Sequence, residues 1–235
     1  MPRNNRKDAR RSGGFAAATK PPIGRPKPAA GRGSAAGRGE IRIIGGLWRG
    51  RKLHFPNAPG LRPTPDRVRE TLFNWLQFDI AGTRCLDLFA GSGALGLEAL
   101  SRGAAEVLFV ERDPEAAASI RDTLSELGGQ GGLVDSRDAF AFLAQPATRS
   151  FDIVFLDPPY DQQWLPRLCA ALESGGWLAP DARIYLEDAA GRGPPALPPG
   201  WELRRSRRAG DVGYHLAARR VEAPPPSKQQ QQGSA

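Results

Sequence analysis

With 235 residues and 40% hydrophobic side chains, the chain is long enough to bury a real core in one large domain or two small ones. It holds no run of the ~18 to 20 apolar residues that a membrane helix needs. No apolar stretch follows the basic N-terminus as a secretory signal requires, and Cys85 and Cys169, both in apolar contexts, do not make a disulfide framework, so a cytoplasmic protein is expected. The net charge of +8 is unevenly placed: residues 1–39 carry ten Lys or Arg against Asp8 alone, and residues 41–70 carry seven against Asp66 and Glu70. A polyanionic partner would meet this N-terminal third, because residues 71–235 are net acidic.

Residues 1–39 are rich in Arg, Gly, Ala and Pro with almost no large apolar side chains, so they cannot offset their ordering entropy. They are expected to be a disordered basic tail, either solubilising or phosphate-binding. The Gln-rich end, 221–235, is expected to be disordered as well. Between them, residues 40–220 read as one α/β domain. It opens with "IRIIGGLWRGRKLHF", a predicted β-hairpin with Gly45-Gly46 as its turn, in a small basic appendage over 40–60. In "RPTPDRVRETLFNWL", Thr64 is expected as a helix N-cap with Pro65 at the first helical position, and Val68, Leu72, Trp75 and Leu76 share one face.

From there the pattern alternates. "TRCLDLF" predicts a strand and "ALGLEALSRG" a helix ending at Gly103; "EVLFVE" predicts a strand and "PEAAASIRDTLSELG" a helix ending at Gly128. "GGLVDS" is a weak strand, "DAFAFLA" a short helix, "FDIVFLD" a buried strand, "WLPRLCAALESG" a helix and "ARIYLED" a strand. Strands separated by helices imply a doubly wound parallel sheet covered on both faces. "WELRRSRR" and "GYHLAAR", joined by "AGDV", predict a closing antiparallel hairpin. Its cations, Arg204, Arg205, Arg207 and Arg208, are read as a plain solvated strand.

"DLFAGSGALGLEAL" (87–100) sits where the first sheet strand turns into a helix, so its glycines let the backbone approach a ligand at the helix N-terminus. Gly91, Gly93 and Gly96 satisfy GxGxxG, and Glu111 follows Gly91 by 20 residues, which also fits a dinucleotide fingerprint or mere tight packing. Asp87 bears on the choice, since a carboxylate there disfavours pyrophosphate and suits an ammonium or sulfonium. The acidic strand end followed by a GxG turn resembles the first motif of class I methyltransferases. That resemblance implies S-adenosylmethionine as cofactor, with Asp87, Ala90, Gly91, Ser92 and Gly93 at the methionine part. It also implies Glu111, beside Arg112, on the ribose hydroxyls, and Asp138 with Ala139 at the adenine. Asp138 or Ser136 would equally cap the helix that follows.

"FDIVFLDPPY" (151–160) brings a carboxylate and an aromatic ring to the end of the fourth sheet strand, across the same crevice as Asp87. Alone it reads as a turn, since proline cannot continue a central strand. Beside the glycine loop, Asp157, Pro158, Pro159 and Tyr160 become candidate catalytic residues. Asp157 and the Pro158 carbonyl would each accept a hydrogen of an exocyclic base amine, Pro159 would stiffen the hinge, and Tyr160 would offer a face to an unstacked base. In-line methyl displacement needs no metal. The sequence offers no His/Cys ligand cluster, and Cys85 reads as core.

Taken together, "IRIIGGLWRGRKL", "LRPTPDRVRETLFNWL", "CLDLFAGSGALGLEALSRGA" and "FLDPPY" closely resemble the RsmD family of bacterial small-subunit ribosomal RNA guanine-N2 methyltransferases over residues 40–220. The resemblance implies a Rossmann-like class I fold: a doubly wound, mostly parallel seven-stranded sheet with an antiparallel C-terminal hairpin. It implies guanine 966 of 16S rRNA as target, in an assembled or assembling small subunit, and neither tail is covered by it. Arg42, Trp48, Arg49, Arg51 and Lys52 would then form an RNA platform, or else a solvated hairpin with Trp48 packed. Arg62, Thr64, Arg67 and Glu70 would serve cofactor, RNA or both, and a monomer is expected. Alternatives are a DNA adenine or protein glutamine methyltransferase, a nicotinamide-dependent oxidoreductase, and a noncatalytic RNA-binding assembly factor.

Overall fold

A computed structural model describes residues 38–56 and 64–220; the rest of both expected tails, and Arg62, lie outside the described residues. A two-stranded hairpin comes first, β1 (Arg38–Arg42) and β2 (Lys52–Pro56), then α1 (Asp66–Trp75). The sheet domain follows as β3 (Arg84–Asp87), α2 (Ala94–Ser101), β4 (Glu106–Val110), α3 (Pro114–Leu127), β5 (Gly132–Asp135) and α4 (Ala139–Leu143). It continues as β6 (Phe151–Leu156), α5 (Leu165–Ser174), β7 (Leu178–Ala189), β8 (Trp201–Ala209) and β9 (Val212–Arg219).

The strands form one seven-stranded sheet in the order β5-β4-β3-β6-β7-β9-β8. β3 pairs in parallel with both β4 and β6, and β9 runs antiparallel between β7 and β8. The chain winds outward from β3 to β5, then crosses back to lay β6 beside β3. That reversal opens a crevice at the carboxyl ends of these two strands.

Alternation along the strands divides the core. Cys85, Phe109, Phe155, Tyr185, Tyr214 and Leu216 face α1, α2 and α3, whereas Leu86, Val110, Val154, Leu186 and Ala217 face α4 and α5. Burial of both cysteine thiols pushes each up to about 12, which leaves them inert as the sequence implies. Gly96 has a packing role: a Cβ there would lie 2.2 Å from the Phe109 ring, so glycine lets α2 lie close on β4.

The hairpin differs from expectation at its turn. β1 and β2 pair from Arg38↔Pro56 to Arg42↔Lys52, so the connection spans residues 43–51 and Gly45-Gly46 is not its tip. Those glycines dock instead on α2. The Glu98 carboxylate accepts the Ile44 and Gly45 N–H groups, each at 2.8 Å, and Ser101 accepts the Leu47 N–H on its carbonyl and the Trp48 N–H on its hydroxyl. Glu98 is fully buried and also receives Arg102 Nε at 2.7 Å, with the buried Arg69 guanidinium 3.5 Å away. Arg69 in turn donates to the Arg42 carbonyl, the Thr64 carbonyl and Asp66. One carboxylate thereby fixes the hairpin, α1 and α2 to each other.

Two local expectations are corrected by the same packing. Helix α1 begins at Asp66 with Pro65 as its cap residue, and Thr64 points elsewhere. Trp48 is only 9% exposed and its ring packs against Gly129 beyond α3, so it is a core residue and cannot serve as a stacking platform for RNA. Removing the anchor is the direct test. Glu98→Ala strips buried Arg69 of its buried carboxylate and leaves it only the exposed Asp66, and urea unfolding should show a loss of ~3 to 5 kcal/mol. Hydrogen exchange should show the Ile44 and Gly45 amides losing protection ahead of the sheet.

Candidate active site

β3 delivers Asp87 to the crevice through a strand that is buried on both faces. Its carboxylate is 2% exposed and accepts the Gly96 N–H at 3.0 Å. Burial, outweighing that hydrogen bond, pushes Asp87 up to about 7, with the Glu111 charge adding to the rise. The loop that follows reverses tightly: Gly91 and Gly93 have φ of 53° and 75°, values that only glycine holds without strain, and Gly93 caps α2. Glu111 leaves the end of β4 and reaches back to this loop, accepting the Gly91 N–H at 2.7 Å and the Asp113 N–H at 2.8 Å. Arg112 beside it is exposed.

On the next strand, β6 ends at Leu156 and presents Asp157 into the crevice. The register puts Phe155 opposite Asp87, so Asp157 stands two residues further along the adjacent strand. Asp157 accepts a hydrogen bond from Thr64 Oγ1 at 3.2 Å. Desolvation first, then the charges of Glu187 and Asp87, hold Asp157 well above the usual carboxylate range, and only the Thr64 hydroxyl opposes them. Pro158 is buried, Pro159 exposed, and Tyr160 opens a short 3-10 turn that ends at Gln163. Gln163 carries φ of 51°, the single left-handed non-glycine residue among those described, so the backbone strain lies at the close of this turn.

Tyr160 is tied at two points. Its hydroxyl donates to Glu187 Oε1 at 2.5 Å, and its carbonyl accepts from Arg192 Nη1, which also binds Asp188 at 2.6 Å. Glu187, at the end of β7, is buried and takes a second hydroxyl from Tyr185 at 2.6 Å. Burial raises Glu187 while the two phenols lower it. The phenol of Tyr160 is itself pushed up by burial and by the neighbouring carboxylates, so it stays a donor.

The other expected residues divide. Asp138 caps α4, accepting the Phe140 and Ala141 N–H groups, and Ala139 is buried in that helix. Ala90 donates to the Val110 carbonyl, which pins the loop to β4, and Ser92 is half-buried within it. Arg42, Arg49, Arg51 and Lys52 are exposed on the hairpin, where Lys52 pairs with Glu40 at 3.0 Å. Arg67 and Glu70 are exposed on α1, while Thr64 is drawn into the crevice.

The chain is similar to known proteins over most of its length. A family model described as conserved hypothetical protein 95 matches residues 41–218. The ribosomal RNA small subunit methyltransferase D of Escherichia coli K12 is 49% identical over 187 residues, spanning 80% of this chain and 94% of its own. Its namesake in Haemophilus influenzae is 45% identical over 182 residues, spanning 76% and 94%. The chain belongs to this family, RsmD. A solved putative methyltransferase from Escherichia coli superposes at a TM-score of 0.73 with 47% identity, covering 78% of this chain and 100% of that one. The protein is thus a class I methyltransferase, which sets aside the oxidoreductase and noncatalytic readings.

Three features of this RsmD-family site escaped the sequence reading: Tyr185, Glu187 and the crevice role of Thr64. Glu187 was findable, because it closes a sheet strand as Asp87 and Asp157 do. The electrostatics of the cluster can be checked by carboxyl carbon NMR. Glu187→Gln should lower the Asp157 titration, since it removes the larger of the two charges acting on it, and Thr64→Val should raise it. Movement in the opposite sense would contradict the arrangement.

Proposed function

We propose that this methyltransferase moves the methyl group of S-adenosylmethionine to the exocyclic N2 amine of a guanine in 16S rRNA, within an assembled or assembling small subunit. The observation that carries this reading is the Asp157 carboxylate at the end of β6, one strand over from the buried Asp87 in the same crevice. The relatives' names, ribosomal RNA small subunit methyltransferase D, point to the same substrate class.

The residues fit the cofactor. Asp87 is a buried acid with a single N–H partner, poised to pair with an ammonium or sulfonium. The left-handed glycine loop opens the backbone beside it, and the Glu111 carboxylate, fixed by two amides, keeps further acceptor capacity for vicinal hydroxyls. Bound there, S-adenosylmethionine would supply an electrophilic methyl group.

The protein's part is aiming. Asp157 and the Pro158 carbonyl accept the two amine hydrogens, so the nitrogen lone pair turns out of conjugation and toward the methyl group. Transfer would form the N–C bond as the cofactor's C–S bond breaks, and Asp157 would take the proton that the amine gives up. Tyr160, anchored through Glu187 and Arg192, holds the ring of the unstacked base. No covalent enzyme intermediate is required.

Incubation with labelled S-adenosylmethionine and small subunits lacking the modification should place label on a single guanine amine, and Asp157→Ala should reduce transfer at least ~100-fold. Label on adenine or on a protein amide, or an unimpaired variant, would overturn the assignment. Cofactor affinity also carries a pH signature. Free Asp87 titrates at about 7 and a cationic ligand favours its ionised form, so affinity should be full above that pH and fall by up to about tenfold per unit below it. Calorimetry should show proton release on binding at pH 6, and Asp87→Asn should abolish the pH dependence along with most of the affinity.

A further inference from the structure

We infer that strand β8 is a second RNA-binding surface, a track of arginines that grips the single-stranded phosphate backbone leading away from the target base. The inference rests on the RNA reading above and adds a surface that reading does not use.

β8 is the edge strand of the sheet, and every residue from Leu203 to Arg208 is exposed. Its four arginines are Arg204, Arg205, Arg207 and Arg208, and among the described residues only Arg204 has a carboxylate in reach, Glu202 at 3.3 Å. A strand that needed charge only to block edge pairing would be served by one or two cations. Four, nearly all unpaired, leave a strong uncompensated field.

Register ties this field to the active site. Arg207 pairs with Tyr214, which pairs with Glu187, the carboxylate that holds Tyr160. Arg207 therefore stands two strands across from Glu187, about 10 Å by ordinary strand spacing, at the same carboxyl end of the sheet. Directly opposed residues share a face, so Arg205 and Arg207 lie on the face of Leu216 and Tyr214. That face carries α1, whose Trp75 stacks on Tyr214 at 5.4 Å.

Away from the crevice the track runs into a groove of about 250 Å³ lined by Trp75, Asp79, Arg183, Arg204, Arg205 and Leu216. The turn that brings Asp79 there also holds Phe78, 90% exposed. A groove lined by arginines, with a free aromatic ring on the turn that borders it, suits a single strand, with phosphates on the cations and a base on the ring.

The test uses the full-length protein with Arg205→Gln/Arg207→Gln and with Phe78→Ala. The double variant should weaken binding of a 16S rRNA fragment, flatten the logarithmic salt dependence by about 1.4, as two lost single-strand phosphate contacts would, and raise KM for RNA with kcat kept. Phe78→Ala should weaken binding without changing the salt slope, and Arg205→Lys/Arg207→Lys should restore most of the affinity. Unchanged RNA affinity and KM in the Gln variant, with aggregation as the sole defect, would overturn the inference and leave β8 as a protected edge. Failure of the parent protein to methylate RNA at all would instead count against the proposed function.

Discussion

Asp87 stands out of water and Asp157 is half-buried at the neighbouring strand end, with buried Glu187 beyond them, and the ionised forms of Glu187 and Asp87 both push Asp157 upward. Removing carboxylates from water is costly unless donors or cations replace the lost hydration. Here hydroxyls do much of that work: Thr64 donates to Asp157, and Tyr160 and Tyr185 donate to Glu187. The donors come from α1's approach, from the strand exit and from β7, so elements distant in sequence are fixed by the need to satisfy three acids. The compensation is incomplete at Asp87 and Asp157. An incompletely solvated carboxylate is a site that gains from a cation or from amine hydrogens, and the fold thereby stores a demand that a ligand can meet.

Glu98 is the instructive contrast. It is as deeply buried as Asp87, yet it lies against Arg69 and Arg102 and accepts two backbone amides, so its charge is fully answered within the protein. A satisfied acid has nothing left to offer a ligand, and Glu98 is structural: it clamps the hairpin onto α2. Two buried acids thus do opposite jobs according to whether guanidinium groups answer their charge.

This contrast also marks where the sequence could be read and where it could not. The order of strands and helices, the parallel sheet, the closing hairpin, Asp87, the positive-φ glycines and the Asp-Pro-Pro-Tyr exit all follow from period, breakers and strand-end chemistry, which are local. β7 starts at Leu178, four residues before the predicted segment, because Leu178 pairs with Phe151 ahead of an irregularity in the β6–β7 register that no local signal reveals. Glu98 sits in a helix buried all round, where one acid reads as a solvent-facing residue. Trp48 among arginines looks like a platform until the hairpin folds back on α3, and Thr64 looks like a cap until Asp157 takes its hydroxyl. Each miss is a tertiary contact overriding a sound local expectation, and those of Glu98, Trp48 and Thr64 reach across 50 or more residues.

Charge is partitioned in space as well as along the chain. An acidic crevice repels phosphate, and its neighbouring cation, Arg192, is already engaged by Asp188 and the Tyr160 carbonyl; on the proposed reading the crevice takes a neutral base edge rich in N–H groups and a positively charged methyl donor. Anions must then be held outside it, and the exposed cations lie there, on the hairpin at one flank and on β8 at the other. On the proposed reading this separation is itself a source of selectivity. The backbone of the nucleic acid is attracted to both rims and refused at the centre, so only a base swung out of its stack can lower the cost of the buried acids. A phosphate that strayed inward would meet Asp87 and Asp157 in a low-dielectric setting, where repulsion between like charges is far larger than in water.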